Sequence, residues 1–477
     1  MRTGVDIEGN PFPDRPGSIV EENFWLRSWT HETYLWNDEV TDRNPANYTN
    51  RLAYFGLLKT TNVTPSGASK DQFHFSQPTA EFLQQVNSEP YPDYGAAFVA
   101  FSLTPPRDIR VQYTEPNSPA SEIVMGRPNL VRGTRLLKID GVDVVNGGTT
   151  QAEIDILNNG LFPESPGESH TFVVNDPGDS SRTVTLVSAY VAPKAVNRLK
   201  IIDAAGGKVG YILLNSFGAF AAEQEIADAV ATMKAAGVAD LVLDLRHNGG
   251  GLLALASQLS YMVAGPSQSA GRTFERLQFN ADAGNINPVT GEFNEPVPFL
   301  SSGIGFSLPE GAPLETLDLN RVFVLTTEQT CSASESVINS LRGIFVDVIL
   351  IGETTCGKPY GFYPEDNCGE TYFSIQFRGV NDQDFGDYAD GFAPANSADA
   401  FAVKAPGCAV ADDYNHELGD ETEALLAAAL YYREVGSCPF GSMGAASTSS
   451  VSPAHEPTAM RRAVEVMSDN RDMRMPH

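Results

Sequence analysis

Between Gly207 and Gly352 the chain four times brings together a short apolar run and a polar or glycine-rich stop. The runs are KVGYILLNSF, DLVLDLR, RVFVLTT and VDVILIG. Apolar residues on both faces of such a run fit strands of a mostly parallel sheet covered by helices, and exclude half-solvated hairpins. The text between them supplies the helices: AEQEIADAVATMKAAG, with Gly237 as its stop, LLALASQLSYMVAG and SASESVINSLRG. ETEALLAAALYYREV predicts a last helix closing this α/β unit.

The preceding text has a different period. From Pro92 to Pro193 short alternating segments (GAAFVAF, IRVQYT, RLLKIDGVDVV, HTFVVND, RTVTLVSAYV) predict a small antiparallel β domain with AEIDILNNGL as its helix. The Pro-rich opening reads as loose to about Gly17. Beyond it Phe24, Trp25, Trp29, Tyr34 and Trp36 recur near helical spacing, predicting a helical region with an aromatic core stripe. The expected organisation is 1–90 helical, 91–193 β, 194–438 α/β and 439–477 a flexible tail in which RRAVEVM forms at most a turn of helix. The insertion from Phe279 to Phe306 has no assigned role.

Length and charge narrow the function. A chain of 477 residues predicts about three domains at roughly 150 residues each. Sixty acidic against 32 basic residues give a net charge of -28, which repels nucleic acid and anionic lipid. No apolar run reaches the roughly 18 residues of a membrane span, and the opening lacks the plan of a signal peptide. A chain trimmed of its export signal reads the same, so the compartment stays open. Cys331, Cys356, Cys368, Cys408 and Cys438 show no CxxC and no zinc-type His pair, so no metal is expected. Disulfides and buried thiols both fit, with one cysteine left over.

The motifs GxSxG, HExxH, GxxxxGK[ST] and a strand-linked GxGxxG are all absent. Three strand ends carry the unusual residues. Arg246-His247-Asn248-Gly249-Gly250-Gly251 opens a helix, where glycines and free N–H groups suit either a tight connection or an oxyanion site. Glu328-Gln329-Thr330-Cys331-Ser332-Ala333-Ser334-Glu335 enters the next helix, where Ser332 fits an N-cap or a nucleophile. Gly352-Glu353-Thr354-Thr355-Cys356-Gly357-Lys358 places a lysine between Gly357 and Pro359, more rigidly than a surface lysine requires. All three lie beyond carboxyl ends of predicted parallel strands, where open α/β sheets collect ligands.

DLRHNGGG, TCSASES and IGETTCGK, in this order, resemble the signature of the C-terminal processing peptidases, or tail-specific proteases, serine proteases with a Ser-Lys dyad. SPASEIVMGRPNLVRGTRLLKIDG resembles their PDZ domain, and YLWNDEV with DQFHFS the helical N-terminal segment of some members. The resemblance implies a multidomain α/β protein: a Clp protease/crotonase-like catalytic core, a PDZ-like β domain and a small N-terminal helical region. It implies Ser332 as nucleophile, Lys358 as general base, and the N–H groups of Ala333 and of Gly250 or Gly249 as the oxyanion hole. No cofactor is implied. The implied substrates are unfolded or C-terminally tagged proteins, and the implied compartment is the bacterial periplasm or another exported site.

Where many relatives carry a glutamine to orient the lysine, this chain reads Pro359-Tyr360-Gly361-Phe362, which leaves Glu335 and Glu353 as candidates. A carboxylate paired to the amine favours its charged form, the wrong direction for a base. Cys331 and Cys356 flank the two proposed catalytic residues and are expected to form a disulfide if their Cα atoms lie within about 7 Å. His247 is the alternative base. The PDZ-like groove would cap a substrate carboxylate with N–H groups near Tyr94-Gly95-Ala96, or else serve only as packing. Two rival functions remain: an inactive PDZ-containing peptide binder on the same fold, and an acyl-transferring or hydratase enzyme of the crotonase-like type, for which no acyl-CoA marker is present.

Overall fold

The computed structural model describes residues 17–439. The expectations for the Pro-rich opening and for the tail with RRAVEVM lie outside the described residues.

Helix α1 (Ile19–Thr33) starts at a capping box, in which the Ser18 hydroxyl accepts the Glu21 N–H and the Glu21 carboxylate accepts that of Ser18. Trp25 and Trp29, one helical turn apart, stack at 5.5 Å. Phe24 leaves the predicted stripe and is 47% exposed, because adjacent helical positions point about 100° apart. Trp36 lies past the helix end and packs edge-on against Tyr360 at 4.8 Å. The region is not helical throughout. Strand β1 (Phe75–Pro78) precedes α2 (Thr79–Val86) and pairs antiparallel with residues 370–373, far along the chain.

Strand β2 (Tyr91–Asp93) leads into an antiparallel unit: β3 (Ala96–Ser102), β4 (Asp108–Thr114), β5 (Arg135–Ile139), α3 (Gln151–Leu161), β6 (Ser169–Asn175) and β7 (Ser181–Val187). The strands lie in the order β7-β6-β5-β4-β3 around a separate core of Val111, Leu136, Phe172, Val174 and Leu186, closed by Leu157 and Leu161 of α3. Strand β8 (Ala189–Val191) returns to pair with β2, so the chain enters and leaves this unit at one neck.

The remainder builds the α/β core from β9 (Val196–Ile202), β10 (Val209–Leu214), α4 (Ala222–Ala236), β11 (Asp240–Asp244), α5 (Leu253–Ala264), β12 (Arg321–Thr326), α6 (Ala333–Gly343), β13 (Asp347–Gly352), β14 (Glu370–Phe373), β15 (Gly407–Ala409) and α7 (Ala424–Val435). The sheet order is β9-β10-β11-β12-β13-β15, with every pair parallel except β9 to β10. Side chains alternate between the two covered faces, as a strand period of two dictates. Ile212, Leu214, Leu241, Leu243 and Val324 pack with Ile226, Leu255 and Val337 from α4, α5 and α6. Tyr211, Leu213, Val242, Phe323 and Ile351 pack with Leu425 and Leu426 of α7. Burying one such aliphatic side chain contributes about 1.5–3 kcal/mol, which is why these runs tolerate so few polar residues. Gly237 ends α4 at φ 67°, ψ 45°. The insertion lies over the start of α4: Phe306 stacks on Phe220 at 4.7 Å, and Glu223 accepts N–H bonds from Ile304, Ser307 and Leu308.

Strands β11, β12 and β13 are neighbours in this sheet. The three unusual strand ends therefore emerge side by side on one edge.

Candidate active site

The turn after β11 is held from beneath. The fully buried Arg246 guanidinium bonds to Asp244, Asp412 and Glu423. Asn248 donates to the Leu214 carbonyl, while its Oδ1 accepts the Gly250 N–H at 2.9 Å. Gly250 has φ 107°, and a Cβ there would stand 2.7 Å from the Ser332 Cβ and 2.9 Å from its Oγ. A Cβ on Gly251, at φ 137°, would meet the Phe217 backbone at 2.2 Å. These two positions accept no side chain.

Ser332 occupies the N-cap position of α6, but at φ 59°, ψ -120° rather than in the extended region that capping residues adopt. A non-glycine residue held there costs about 1–3 kcal/mol, and the surroundings impose it. The Asn248 carbonyl accepts both the Cys331 N–H and the Ser334 hydroxyl, and the Ser332 N–H donates to Glu335 Oε2 at 3.0 Å. Among the described residues no acceptor is paired with the N–H of Ala333 or of Gly249.

Glu335 joins the second and third segments. Its Oε1 accepts from the Thr355 hydroxyl and the Gly357 N–H; its Oε2 accepts from Ser332 and, at 2.8 Å, from the Lys358 N–H. One carboxylate oxygen thus holds the backbone nitrogens of Ser332 and Lys358 within about 6 Å of each other. Burial pushes the Glu335 carboxyl up to about 7, against the downward pull of those donors. A disulfide between Cys331 and Cys356, with Cα atoms 5.2 Å apart, is a second tie between the same segments. Cys408 and Cys438 form another, and Cys368 is unpaired. Lys358 is buried, its Nζ 4.2 Å from the centroid of the Phe362 ring and 5.2 Å from that of Phe73.

The two candidate orienters of the lysine separate. Glu335 acts on the Lys358 backbone. Glu353, pushed up to about 7 by burial, sits instead in the field of Asp412 and Glu328. His247 is committed elsewhere as well. Its Nε2 accepts from Arg132 at 3.1 Å, its Nδ1 lies against Gln112 and Gln329, and its ring stacks on Tyr113. Burial first, and the Arg132 charge second, lower it to about 3 and keep it neutral. Arg132 and Gln112 belong to the antiparallel unit, so His247 is a joint between that unit and the glycine turn. Arg132 also bonds to Asp412, which Arg246 contacts from the other side. Although burial opposes it, the two guanidinium groups hold the Asp412 carboxyl well below the usual range.

Tyr94, Gly95 and Ala96 lie apart from these residues, between β2 and the edge strand β3. Tyr94 packs edge-on against Phe172, and the Gly95 N–H donates to Asp93 Oδ1, so an incoming carboxylate would have to displace Asp93 from that donor. Among the described residues the grouping Cys331, Glu335 and Cys356 brings potential metal donor atoms within 4.8 Å of one another. The bond between its two sulfurs leaves no thiolate for a cation. Sequence reasoning gave no role at the site to Asn248, Gln112, Arg132, Asp412 or Phe73, although Asn248 stands in the glycine turn and Arg132 in Arg132-Gly133-Thr134, where relatives often have Gly-Asp.

Residues 208–361 match the model of peptidase family S41. A carboxyl-terminal-processing protease from Picosynechococcus sp. is 30% identical over 226 residues, which span 47% of this chain and 45% of that protein. A crystal structure assigned to the S41 proteases, from Bacteroides fragilis, superposes with a TM-score of 0.64 at 22% identity, covering 89% of this chain and 100% of that one. Residues 208–361, which carry the glycine turn, Ser332 and Lys358, are thus similar to the S41 peptidases, and the described residues share the fold of a solved structure assigned to that family.

Proposed function

We propose that the protein is a serine endopeptidase that cleaves C-terminal regions of unfolded or tagged proteins, with Ser332 as nucleophile and Lys358 as general base. The observation that carries this reading is the Glu335 carboxylate, which holds the backbones of both residues while Ser332 sits strained against Gly250. Serine attacks an amide slowly unless a base removes its proton. Neutral Lys358 takes that proton as Oγ bonds to the scissile carbonyl carbon, and the carbonyl oxygen becomes the oxyanion. The resulting ammonium returns the proton to the leaving amine as the C–N bond breaks, leaving an ester on Ser332. Water, deprotonated by the same amine, then releases the acid product.

Two N–H groups would hold the oxyanion, each removal typically costing about 100-fold or more in rate. Ala333 supplies one. Gly249 is the better second donor, since the Gly250 N–H already serves Asn248. The unit spanning 91–193 is the PDZ-like domain of this reading, with the free edge of β3 offered to an extended substrate strand. The name of the Picosynechococcus relative supports action near a C-terminus. Two disulfides fit an oxidising, exported compartment. No helix of the described residues is long and apolar enough to cross a membrane.

The test is turnover of casein and of a C-terminally tagged unfolded protein by Ser332→Ala and Lys358→Ala, with fluorophosphonate labelling of the parent. Both variants are expected to lose at least about 1,000-fold in kcat/KM while keeping the parent melting profile. Turnover that survives Lys358→Ala but not His247→Gln would transfer the base to His247.

A further inference from the structure

The loop that leads into the free edge strand β3 already holds a carboxylate of the protein itself. Asp93 ends β2, where pairing with Ala189 of β8 fixes its backbone at the neck. From there its Oδ1 accepts the Gly95 N–H. Burial raises the Asp93 carboxyl, and the N–H groups of Gly95, Ala96 and Tyr94 oppose that rise. These are the donors that a PDZ-like unit would turn towards the terminal carboxylate of a substrate. The far side of the loop is closed. The Gly95 carbonyl accepts the Glu115 N–H and the Tyr94 carbonyl that of Ala120, both at 2.8 Å. Gly95 has φ 72°, and a Cβ there would stand 2.2 Å from the Ser118 Cβ, so the loop has no room to sink inward and turn its donors away from Asp93.

A second acid stands behind the first. Glu115 Oε2 accepts the Lys194 N–H at 3.1 Å and the Asn197 amide at 3.2 Å. Burial raises the Glu115 carboxyl to about 7, and the charges of Asp93 and Glu225 push in the same direction. The one ammonium nearby, that of Lys194, bonds to Glu225 Oε1 at 3.1 Å. A terminal carboxylate arriving at this loop would therefore meet acids rather than a cation.

We propose that Asp93 is a built-in occupant of the carboxylate loop, so that the antiparallel unit takes its substrates by strand pairing along β3 and does not read their terminal carboxylate. This rests on the PDZ-like reading above and narrows it. An incoming carboxylate would have to take the Gly95 N–H from Asp93 while facing a like charge, and it would leave a buried acid without its donor. The N–H groups of a chain that continues past the loop meet an acceptor there instead. The substrates that fit are extended segments of unfolded chain with further residues beyond the bound strand.

The test uses the full chain and one fluorogenic peptide made in two forms, as the C-terminal acid and as the C-terminal amide. kcat/KM for each form is compared between the parent, Asp93→Asn and Asp93→Ala, with melting as the control for folding. The parent is expected to turn over the two forms within about two-fold of each other. Asp93→Ala frees the donors and removes the charge, and is expected to favour the acid by about 10-fold or more, equivalent to about 1.4 kcal/mol. Asp93→Asn removes the charge but keeps an acceptor for Gly95, and is expected to favour the acid by about three-fold; it decides the matter if the alanine variant does not fold. A parent that already favours the acid by 10-fold overturns the built-in occupant and leaves the PDZ-like reading standing. Acid and amide that stay equal in the folded variants overturn both, because the loop then holds no carboxylate even when emptied. Neither result bears on Ser332 and Lys358, which the alanine variants of those residues test separately.

Discussion

Ser332 is asked to do two incompatible things. A helix start favours an extended capping residue, yet the backbone here turns to φ 59°. The gain is placement, since that turn sets the side chain against Gly250 and leaves the Ala333 N–H without an acceptor among the described residues. Glycine takes such angles without steric cost, so Ser332→Gly is expected to be inert but more stable than Ser332→Ala by about 1 kcal/mol. Denaturant melts of the two variants check this. Equal midpoints would mean that the surroundings, and not the missing Cβ, carry the strain.

At the scale of elements, the site is three loops knotted after β11, β12 and β13. Hydrogen bonds cross every gap: Cys331 to Asn248, Cys356 to Thr330, and the Thr327 and Thr330 hydroxyls to the Arg246 and Leu245 carbonyls. The Cys331–Cys356 bridge and the Glu335 carboxylate tie the same pair of loops, one covalently and one through four donors. Replacing both cysteines by serine removes a cross-link over 25 residues, for which chain entropy predicts a loss of about 3–4 kcal/mol. Melting is expected to fall accordingly, with a smaller loss of kcat because Glu335 remains. A variant that melts lower but keeps full kcat assigns alignment to Glu335 alone; an equal loss of both assigns it to the disulfide.

At the scale of the molecule, the antiparallel unit meets the core through Arg132, Gln112 and the neutral His247. The folded value of His247, about 3, lies below the ordinary imidazole value of about 6.5. The unfolded chain therefore binds a proton that the folded one refuses, and the contribution present above pH 6.5 is lost as pH falls towards 3. The stability of His247→Gln relative to the parent is expected to rise by about 1.4 kcal/mol per pH unit as pH falls from 6 to 5. Other groups cancel in that difference. A pH-independent difference between the two would place a charged ring at the joint.

The amino-acid sequence alone pointed to the covered sheet, because runs such as DLVLDL leave no face for water, and it marked the glycine turn while leaving open a tight connection or an oxyanion site; the close approach that bars a Cβ at Gly250 and Gly251 came with the tertiary structure. It also marked Ser332 and Lys358, whose neighbours in the chain carry the resemblance. Only the tertiary structure decided what each of them touches. Phe73 meets Lys358 because β1 pairs with β14, and Glu335 binds both loops because β12 and β13 are adjacent. Local text carries propensity and pattern, but a contact between residues hundreds of positions apart exists only once the sheet order is set, and that order is a property of the whole buried surface.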